Sequence, residues 1–370
     1  MAIDISALPA EAHEALKRFP EFEPHQFNDS GANGYVLLGR HNVLQRDVAL
    51  KIYFHAPNEM EQEPALIAAI NHENVMKVLD ARNLMHGCSF FMTPYANYGD
   101  LSSYIQERPI PIRLALRLLR QLLSGLTALH SEPLRLVHRD IKPQNLLIHD
   151  DTLLIADFGS VRRMAAGANV VPASKHSVLY RPPEAFGDQG RFNFSSDCYQ
   201  AGLIGYLLFG GQLSELLTEH LKTAQIKKLE GLRYDNVSYA DECLFVDDCL
   251  RDRIQRGMLL DWTKIPAYVP RKLVRSLRRA TSIDGRYRDV SEFLAELAAV
   301  GPLPDWIVEG PQAWTLRDWK KQDYCLVAEN GNVIVKKSRS GAAKFSTDHA
   351  LSGGSWSDVF KRVAEKLGLP

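Results

Sequence analysis

Three side chains that could hold a divalent cation and move a phosphoryl group lie close together near the middle of the chain. The stretch Val137-His138-Arg139-Asp140-Ile141-Lys142-Pro143-Gln144-Asn145 is followed, at the distance of a short hairpin, by Asp157-Phe158-Gly159. Carboxylate and amide oxygens are ligands that Mg²⁺ accepts in proteins. A lysine between them could offset phosphate charge. The spacing therefore indicates chemistry on a metal-bound phosphate.

The two motifs together, in this order, resemble the catalytic and metal-binding loops of eukaryotic-type serine/threonine protein kinases. In that family the residues matching Asn145 and Asp157 hold Mg²⁺. The resemblance gives Asp140 the task of orienting a hydroxyl and accepting its proton, and Lys142 that of offsetting charge on the moving phosphoryl group. Either triplet alone would be weak evidence because short motifs recur by chance.

The resemblance covers about residues 27–300 and implies an α+β, bilobal fold. A small N-terminal lobe of antiparallel strands with one helix would pack on a larger, helical C-terminal lobe. ATP and Mg²⁺ are the implied cofactors, and serine or threonine hydroxyls of protein substrates, including the chain's own, are the implied acceptors.

A second group of residues matches the part of the family that holds the nucleotide. Lys51 ends Val48-Ala49-Leu50-Lys51 and is expected to contact the phosphates while paired with Glu63, which fits the family's helix spacing better than Glu61. Gly31 and Gly34 match two glycines of the glycine-rich loop. Asp29 stands where the family has the first glycine; its carboxylate could weaken ATP binding by repulsion, and the sequence leaves open whether it does.

The adenine ring is expected in an apolar slot. The resemblance assigns its walls to Val36, Ala49 and Leu147, and its back to Thr93. Pro94 and Ala96 lie in the segment that joins the lobes. Because Pro94 has no N–H, the base must be recognised by carbonyls and by the backbone of Ala96.

Substrate docking and regulation are expected in the segment that follows. Lys142 and Ser177 mark the serine/threonine branch, and Ser177 begins Ser177-Val178-Leu179-Tyr180-Arg181-Pro182-Pro183-Glu184, which resembles the peptide-docking segment. Glu184 is expected to pair with Arg286, and Asp197 to hold the catalytic loop. Arg139 is expected to bind a phosphate on the activation segment, with Ser174 as the hypothesised phosphosite or, equally, a linker serine.

Hydrophobic periodicity predicts the elements that position these residues. The predicted strands are at Gln26 to Tyr53, Val75 to Leu79 and Ser89 to Thr93, and the predicted helices are Glu61–Ile70, Ile112–Leu129, Cys198–Phe209, Arg271–Ala280 and Val290–Val300. Residues 1–95 are expected to form the small lobe with an N-terminal extension, and 96–300 the large lobe, with an insertion near 211–270. Residues 301–370 are expected to form a small α/β module with a hairpin at Tyr324–Lys337 and a helix at Ser357–Leu367.

Composition excludes some partners and leaves others open. Lys plus Arg equals Asp plus Glu at 44 each, which argues against nucleic acid and anionic membranes as partners. No apolar run is long enough to span a bilayer. Because such a run and the apolar core of a secretory signal are both lacking, the chain is expected in the cytoplasm, and five scattered cysteines indicate reduced thiols. The 211–270 insertion or the C-terminal module could bind a protein partner, although a solvated surface is the simpler interpretation of both.

Two other functions remain compatible with the sequence. A pseudokinase would keep the fold as a nucleotide-binding or docking module, an interpretation that rests on Asp29 and the unusual hinge. A small-molecule kinase would share the fold but has no need of the peptide-docking segment that runs from Ser177 to Glu184.

Overall fold

The computed structural model describes residues 3–31, 34–54, 63–85, 87–173, 177–186, 190–234, 237–310 and 313–369. A five-stranded antiparallel sheet in the order β1-β2-β3-β5-β4 forms the small lobe. Its strands are β1 (Phe22–Gly31), β2 (Gly34–His41), β3 (Arg46–Phe54), β4 (Asp80–Met85) and β5 (Cys88–Pro94). The strands predicted between Gln26 and Tyr53, and at Ser89–Thr93, are confirmed.

Alternation along β3 divides the small lobe into two faces. Leu50 and Ile52 point away from Lys51 and pack, fully buried, in a cluster with α1 (Ala10–Arg18). Ala12 and Ala15 are the buried contacts of this helix, because only small side chains allow a helix to approach a sheet closely. Helix α1 was not predicted. The second helix of the lobe, α2, is described over Glu63–Ala68 and ends two residues before the predicted Ile70, while the predicted start at Glu61 lies outside the described residues.

The predicted strand at Val75–Leu79 is wrong. Val75 forms only an isolated bridge with Ile155, and the N–H of Met76 donates to the carbonyl of Ile155. Val75 and Met76 are nevertheless buried. Their apolar character therefore reflects burial against the large lobe rather than a place in a sheet.

The large lobe is mainly helical, as predicted. Its helices are α3 (Leu101–Glu107), α4 (Ile112–His130), α5 (Phe194–Leu208), α6 (Thr223–Tyr234), α7 (Tyr239–Gln255), α8 (Arg271–Ala280) and α9 (Val290–Ala298). Helix α5 is buried on nearly every side, and Asn193 and Ser196 form a capping box at its N-terminus. The predicted 211–270 insertion comprises α6, α7 and short turns.

Short strand pairs carry the loops of the site. The strands are β6 (Leu136–Val137), β7 (Leu146–His149), β8 (Thr152–Ile155), β9 (Arg162–Arg163), β10 (Val171–Pro172) and β11 (Arg191–Phe192). They pair as β6 with β9, β7 with β8 and β10 with β11, all antiparallel. The β7–β8 hairpin separates Asn145 from Asp157 and brings the two loops back to one edge.

Residues beyond 304 form a second five-stranded antiparallel sheet in sequence order. Its elements are β12 (Asp305–Gly310), β13 (Ala313–Trp319), β14 (Gln322–Glu329), β15 (Asn332–Arg339), β16 (Ser346–Thr347) and α10 (Trp356–Leu367). The hairpin turns at Asn330 and Gly331, both at positive φ, as the sequence predicts. Trp306 is buried and stacks on Tyr268 of the large lobe, so the module and the lobe share one core.

Among the helices of the described ranges, none has both the length and the apolar character needed to cross a membrane.

Candidate active site

An ion pair links the small lobe to the loop after β8. Lys51 Nζ lies 3.2 Å from Asp157 Oδ1, although the two residues are 106 positions apart. Burial by itself would raise the pKa of Asp157, but the Lys51 ammonium and its hydrogen bond outweigh burial and lower that pKa below its ordinary value. Asp157 is therefore an anion near neutral pH. Its φ of 58° aims the carboxylate away from the regular strand path.

The catalytic loop brings two of the predicted residues, Lys142 and Asn145, to the carboxylate of a third, Asp140. Asp140 Oδ2 accepts hydrogen bonds from Lys142 Nζ at 2.9 Å and from Asn145 Nδ2 at 2.9 Å. Asn145 Nδ2 also donates to the backbone carbonyl of Asp140 at 2.8 Å. This arrangement fixes the rotamer of Asp140. The N–H of Ala156 donates to the carbonyl of Asn145, which ties the catalytic loop to the strand that precedes Asp157.

A buried carboxylate on α5 holds the backbone of the catalytic loop. Asp197 accepts from the N–H of His138 at 2.8 Å and from the N–H of Arg139 at 3.0 Å. His130 Nε2 lies 2.9 Å from the same carboxylate. Asp197 is 0% exposed, and a charge so buried needs such partners. The expectation that Asp197 holds this loop agrees with these contacts.

Gln200, one turn further along α5, holds two segments at once. Its Oε1 accepts from the N–H of Ile141 at 3.0 Å, and its Nε2 donates to the carbonyl of Tyr180 at 3.0 Å. The catalytic loop and the docking segment are thus positioned by one side chain. Gln200 was not predicted from the sequence, although an amide inside a mostly apolar helix is the signal that could have identified it.

His138 packs between the two loops. Its ring is fully buried and meets Phe158 edge to face, with ring centroids 5.4 Å apart. Burial lowers the pKa of His138 and outweighs the opposite effect of Asp197, Asp140 and Asp157. His138 is therefore a neutral packing residue rather than a proton donor.

The residues assigned to the adenine slot lie on both lobes. Ala49 and Thr93 are opposite each other on β3 and β5, and Val48 is opposite Pro94. Val36 lies on β2 opposite Lys51. Further residues of this group are Ala96, which is buried after β5, and Leu147, which is half-buried on β7 of the large lobe.

Gly34 begins β2, where the glycine-rich loop was predicted. A Cβ at this position would overlap the carbonyl oxygen of Ile52 on the neighbouring strand. A side chain could be accommodated only if β2 and β3 separated, which explains the glycine. Gly31 ends β1 and pairs with Gly34.

Three predictions fall outside the described residues. The side chain of Glu63 is one of them, so the proposed pair with Lys51 stays a prediction, although the Glu63 backbone begins α2. Ala32 and Asn33 of the glycine-rich loop lie outside them too, and so does Ser174.

Arg139 contacts the activation segment through its backbone. The guanidinium donates from Nε to the carbonyl of Ser160 and from Nη1 to the carbonyl of Pro172, the latter at 2.6 Å. Burial, reinforced by the nearby Arg162, lowers the pKa of Arg139 to about 10, so it stays charged near neutral pH. Its role in binding a phosphate on the activation segment stays a prediction.

The docking segment is anchored at its far end. Glu184 Oε1 lies 2.8 Å from Arg286 Nη1, the pair expected from the sequence, and also accepts from the hydroxyl of Ser196 at 2.7 Å. Ser177 is half-buried and precedes a short 3₁₀ turn at Val178–Tyr180. The segment therefore has a fixed position relative to α5.

Glu215 is a further residue of the site that was not predicted from the sequence. Its carboxylate accepts from Tyr180 of the docking segment and from Gln144 of the catalytic loop. Burial and this neighbouring carboxylate both raise the pKa of Tyr180, which therefore stays protonated. No local sequence signal identifies Glu215, because its partners are 35 and 71 positions away.

A family model described as "Protein kinase domain" matches residues 29–249, more than half of the chain. The match contains every residue of the cluster around Asp140 and Asp157. It ends before the sheet formed by β12–β16, for which the comparison gives no family.

Curated proteins with similar sequences carry kinase names. The chain is 29% identical over 206 residues to serine/threonine-protein kinase GIN4 of Saccharomyces cerevisiae, covering 50% of this chain and 18% of that protein. It is 31% identical over 231 residues to serine/threonine-protein kinase ATG1c of Arabidopsis thaliana, covering 60% and 30%. It is 28% identical over 200 residues to serine/threonine-protein kinase pkn2 of Myxococcus xanthus, covering 50% and 24%. The chain thus spans less than a third of each of these relatives.

Proposed function

Because this chain belongs to the protein kinase domain family, we propose that it transfers the γ-phosphoryl group of ATP to serine and threonine hydroxyls of proteins, including its own. The observation that carries the proposal is the convergence of four residues. Asp140 is bonded to Lys142 and Asn145, and Asp157 is paired with Lys51 across the lobes. A partly exposed ion pair such as Lys51–Asp157 adds little to stability, whereas charged side chains that meet in a cleft between lobes are typical of a functional site.

The side chains fit a magnesium ion, which the family uses with ATP. Asp157 supplies an ionised carboxylate, and Asn145 supplies an amide oxygen on the adjoining loop. Within the described ranges no group of three or more His, Cys, Asp or Glu could hold a metal. Magnesium does not need one, because one or two protein carboxylates plus substrate phosphates and water complete its coordination. When bound, the ion would neutralise charge on the phosphate oxygens.

The chain's own residues then have distinct tasks. Lys51 is held by Asp157 within reach of a phosphate bound between the lobes. Asp140 is the acceptor for the hydroxyl proton, since its carboxylate is fixed by two donors and is 9% exposed. Lys142 sits against Asp140 and places a positive charge where the transferred phosphoryl group passes.

Protein substrates are supported by the order of the docking segment. Gln200 fixes Tyr180, and Arg286 fixes Glu184, so a shelf lies beside the catalytic loop. A peptide chain needs such a surface, while a small metabolite does not. We further propose a cytoplasmic location, which is supported by the five free cysteines.

The test compares purified wild type with Asp140→Asn and Asp157→Asn, using labelled ATP, Mg²⁺ and a mixture of serine, threonine and tyrosine peptides. We expect each variant to lose about 10²- to 10⁴-fold in rate, the usual effect of removing a positioned general base or charge. Asp284→Asn is the matched control, because Asp284 is an exposed aspartate outside the cleft. It should keep the wild-type rate.

The outcomes separate the competing functions. Phosphoserine and phosphothreonine, formed by wild type and the control alone, would support the proposal. Equal labelling by all four proteins would refute the assigned mechanism. ATP binding without any transfer would indicate a pseudokinase, and labelling confined to small molecules would indicate a metabolite kinase.

A further inference from the structure

The carboxylate of Glu215 bridges the two segments that a protein substrate must contact. Its Oε1 accepts from the hydroxyl of Tyr180 at 2.9 Å and from Nε2 of Gln144 at 3.2 Å. Gln144 lies in the catalytic loop, four residues after Asp140, and Tyr180 lies three residues after Ser177. Glu215 is therefore on the substrate side of the catalytic loop.

The charge of Glu215 is oriented but not neutralised. Both donors are neutral groups, so they fix the carboxylate without cancelling its charge. Glu215 is exposed, and in the described parts of the chain no Lys, Arg or His nitrogen forms an ion pair with it. The cations next to its partners in the sequence have other contacts: Lys142, two residues before Gln144, binds Asp140, and the guanidinium of Arg181, which follows Tyr180, lies over the Phe186 ring at 5.2 Å.

A surface glutamate with no cation beside it is common, but this one differs in being held from two directions. An oriented carboxylate loses little conformational entropy when a cation arrives, so an ion pair there is stronger than between two mobile side chains. The cation must come from outside the cluster. Because Glu215 is bonded to Tyr180, a peptide that lay on the docking segment would pass close to this carboxylate.

We propose that Glu215 makes the enzyme select serine or threonine acceptors that have an arginine or lysine a few residues away. The inference rests on the proposed function, since it concerns which proteins the same site phosphorylates. Arginine should be preferred to lysine, because its planar guanidinium can bind a carboxylate through two hydrogen bonds.

The experiment measures kcat/KM for a neutral serine peptide and for a series in which arginine replaces one neutral residue at each position in turn. For wild type we expect one position near the serine to raise kcat/KM about three- to tenfold, mainly through KM. Glu215→Gln should bring this ratio close to one. Glu215→Lys should instead favour a peptide with glutamate at that position.

Glu219→Gln is the matched control. It removes the same charge from an exposed glutamate four residues later that contacts neither Tyr180 nor Gln144 through any hydrogen bond found in the described ranges. It should keep the wild-type preference. Because each result is a ratio between two peptides, a general loss of activity cancels, and melting temperatures will show whether a variant is folded.

The possible failures are distinguishable. If wild type phosphorylates the neutral peptide without preferring arginine at any position, or if Glu215→Gln keeps the preference, then this inference is wrong and the proposed function stands. If wild type phosphorylates no peptide at all, both are wrong.

Discussion

Individual residues at this site occupy conformations and environments that only tertiary contacts can sustain. Arg139 and Asp157 are non-glycine residues at positive φ, 71° and 58°. Such backbone conformations cost free energy and persist where surrounding contacts enforce them. Here the enforcing contacts are hydrogen bonds from the backbone of His138 and Arg139 to the buried carboxylate of Asp197, and the ion pair of Asp157 with Lys51.

The Glu184–Arg286 pair gives a stability prediction at this scale. The Arg286 side chain is 6% exposed, so Arg286→Ala would leave Glu184 without its cation in a partly buried site. We expect unfolding free energy to fall by about 3 kcal/mol. Arg288→Ala is the control, because Arg288 is 90% exposed in its pair with Glu292 and should change stability by at most about 0.5 kcal/mol. Urea unfolding followed by circular dichroism measures both; equal losses would contradict the prediction.

The buried His138 predicts how stability depends on pH. Burial lowers its pKa in the folded protein, so the unfolded chain binds a proton more readily as pH falls. The free energy of unfolding should therefore decrease below about pH 6.5, with this residue contributing at most about 1.4 kcal/mol per pH unit. His138→Phe keeps an aromatic ring against Phe158 and should lose that part of the slope. Urea titrations between pH 7 and pH 5 measure the difference; parallel curves would exclude the effect.

At the scale of elements, two helices stabilise the site from opposite sides. Helix α5 is buried along most of its length, and its Asp197 and Gln200 bind the catalytic loop and the docking segment. Helix α1 covers the outer face of the small sheet, opposite the face that carries Lys51. Burial of apolar side chains thus holds α1 and α5 in place on the two lobes, while Asp197 and Gln200 bind the loops of the site.

The packing of α1 predicts a contrast within one helix. Ala15 is completely buried in the cluster of the small lobe, whereas Ala10 is exposed at the start of α1. Ala15→Leu should lower the unfolding free energy by about 1–3 kcal/mol, because the added atoms have no space. Ala10→Leu should change it by at most about 0.5 kcal/mol. Thermal melts of both variants decide this, and a tolerated Ala15→Leu would show that α1 does not pack tightly.

At the scale of the whole molecule, the C-terminal sheet is part of the large lobe's core. Trp306 of β12 stacks on Tyr268 with ring centroids 5.7 Å apart, and Trp314 meets Tyr268 edge to face at 5.2 Å. Arg113 of α4 donates to the carbonyl of Leu303 at 2.7 Å. Shared aromatic packing and this hydrogen bond couple the module to the lobe.

The shared core predicts cooperative unfolding. Trp306→Ala should lower the free energy of unfolding by about 3–5 kcal/mol, as expected for truncation of a fully buried aromatic ring. Phe345→Ala, on an exposed part of the module, should cost at most about 1 kcal/mol. We expect one transition, seen together by tryptophan fluorescence and circular dichroism. Two separate transitions would show that the module folds independently.

Much of the fold could be predicted because it follows from local patterns. The bounds of α8 agree with the prediction, and α4 differs by one residue, since amphipathic periodicity and flanking prolines specify them locally. Val75–Leu79 was misassigned because an apolar run shows burial but not which backbone it pairs with. Helix α1 was missed because its buried face consists of alanines, which give a weak hydrophobic signal.

The sequence alone determined which residue types surround Asp140 and Asp157 and in what order, and these residues carry the chemistry. It could do so because catalysis requires specific side chains at specific spacings. Only the tertiary structure decided which distant groups complete the site. Lys51 meets Asp157 across 106 positions, and Glu215 meets Gln144 across 71. Such contacts depend on how two lobes and several loops pack in space, and packing is a property of the whole chain that no local stretch encodes.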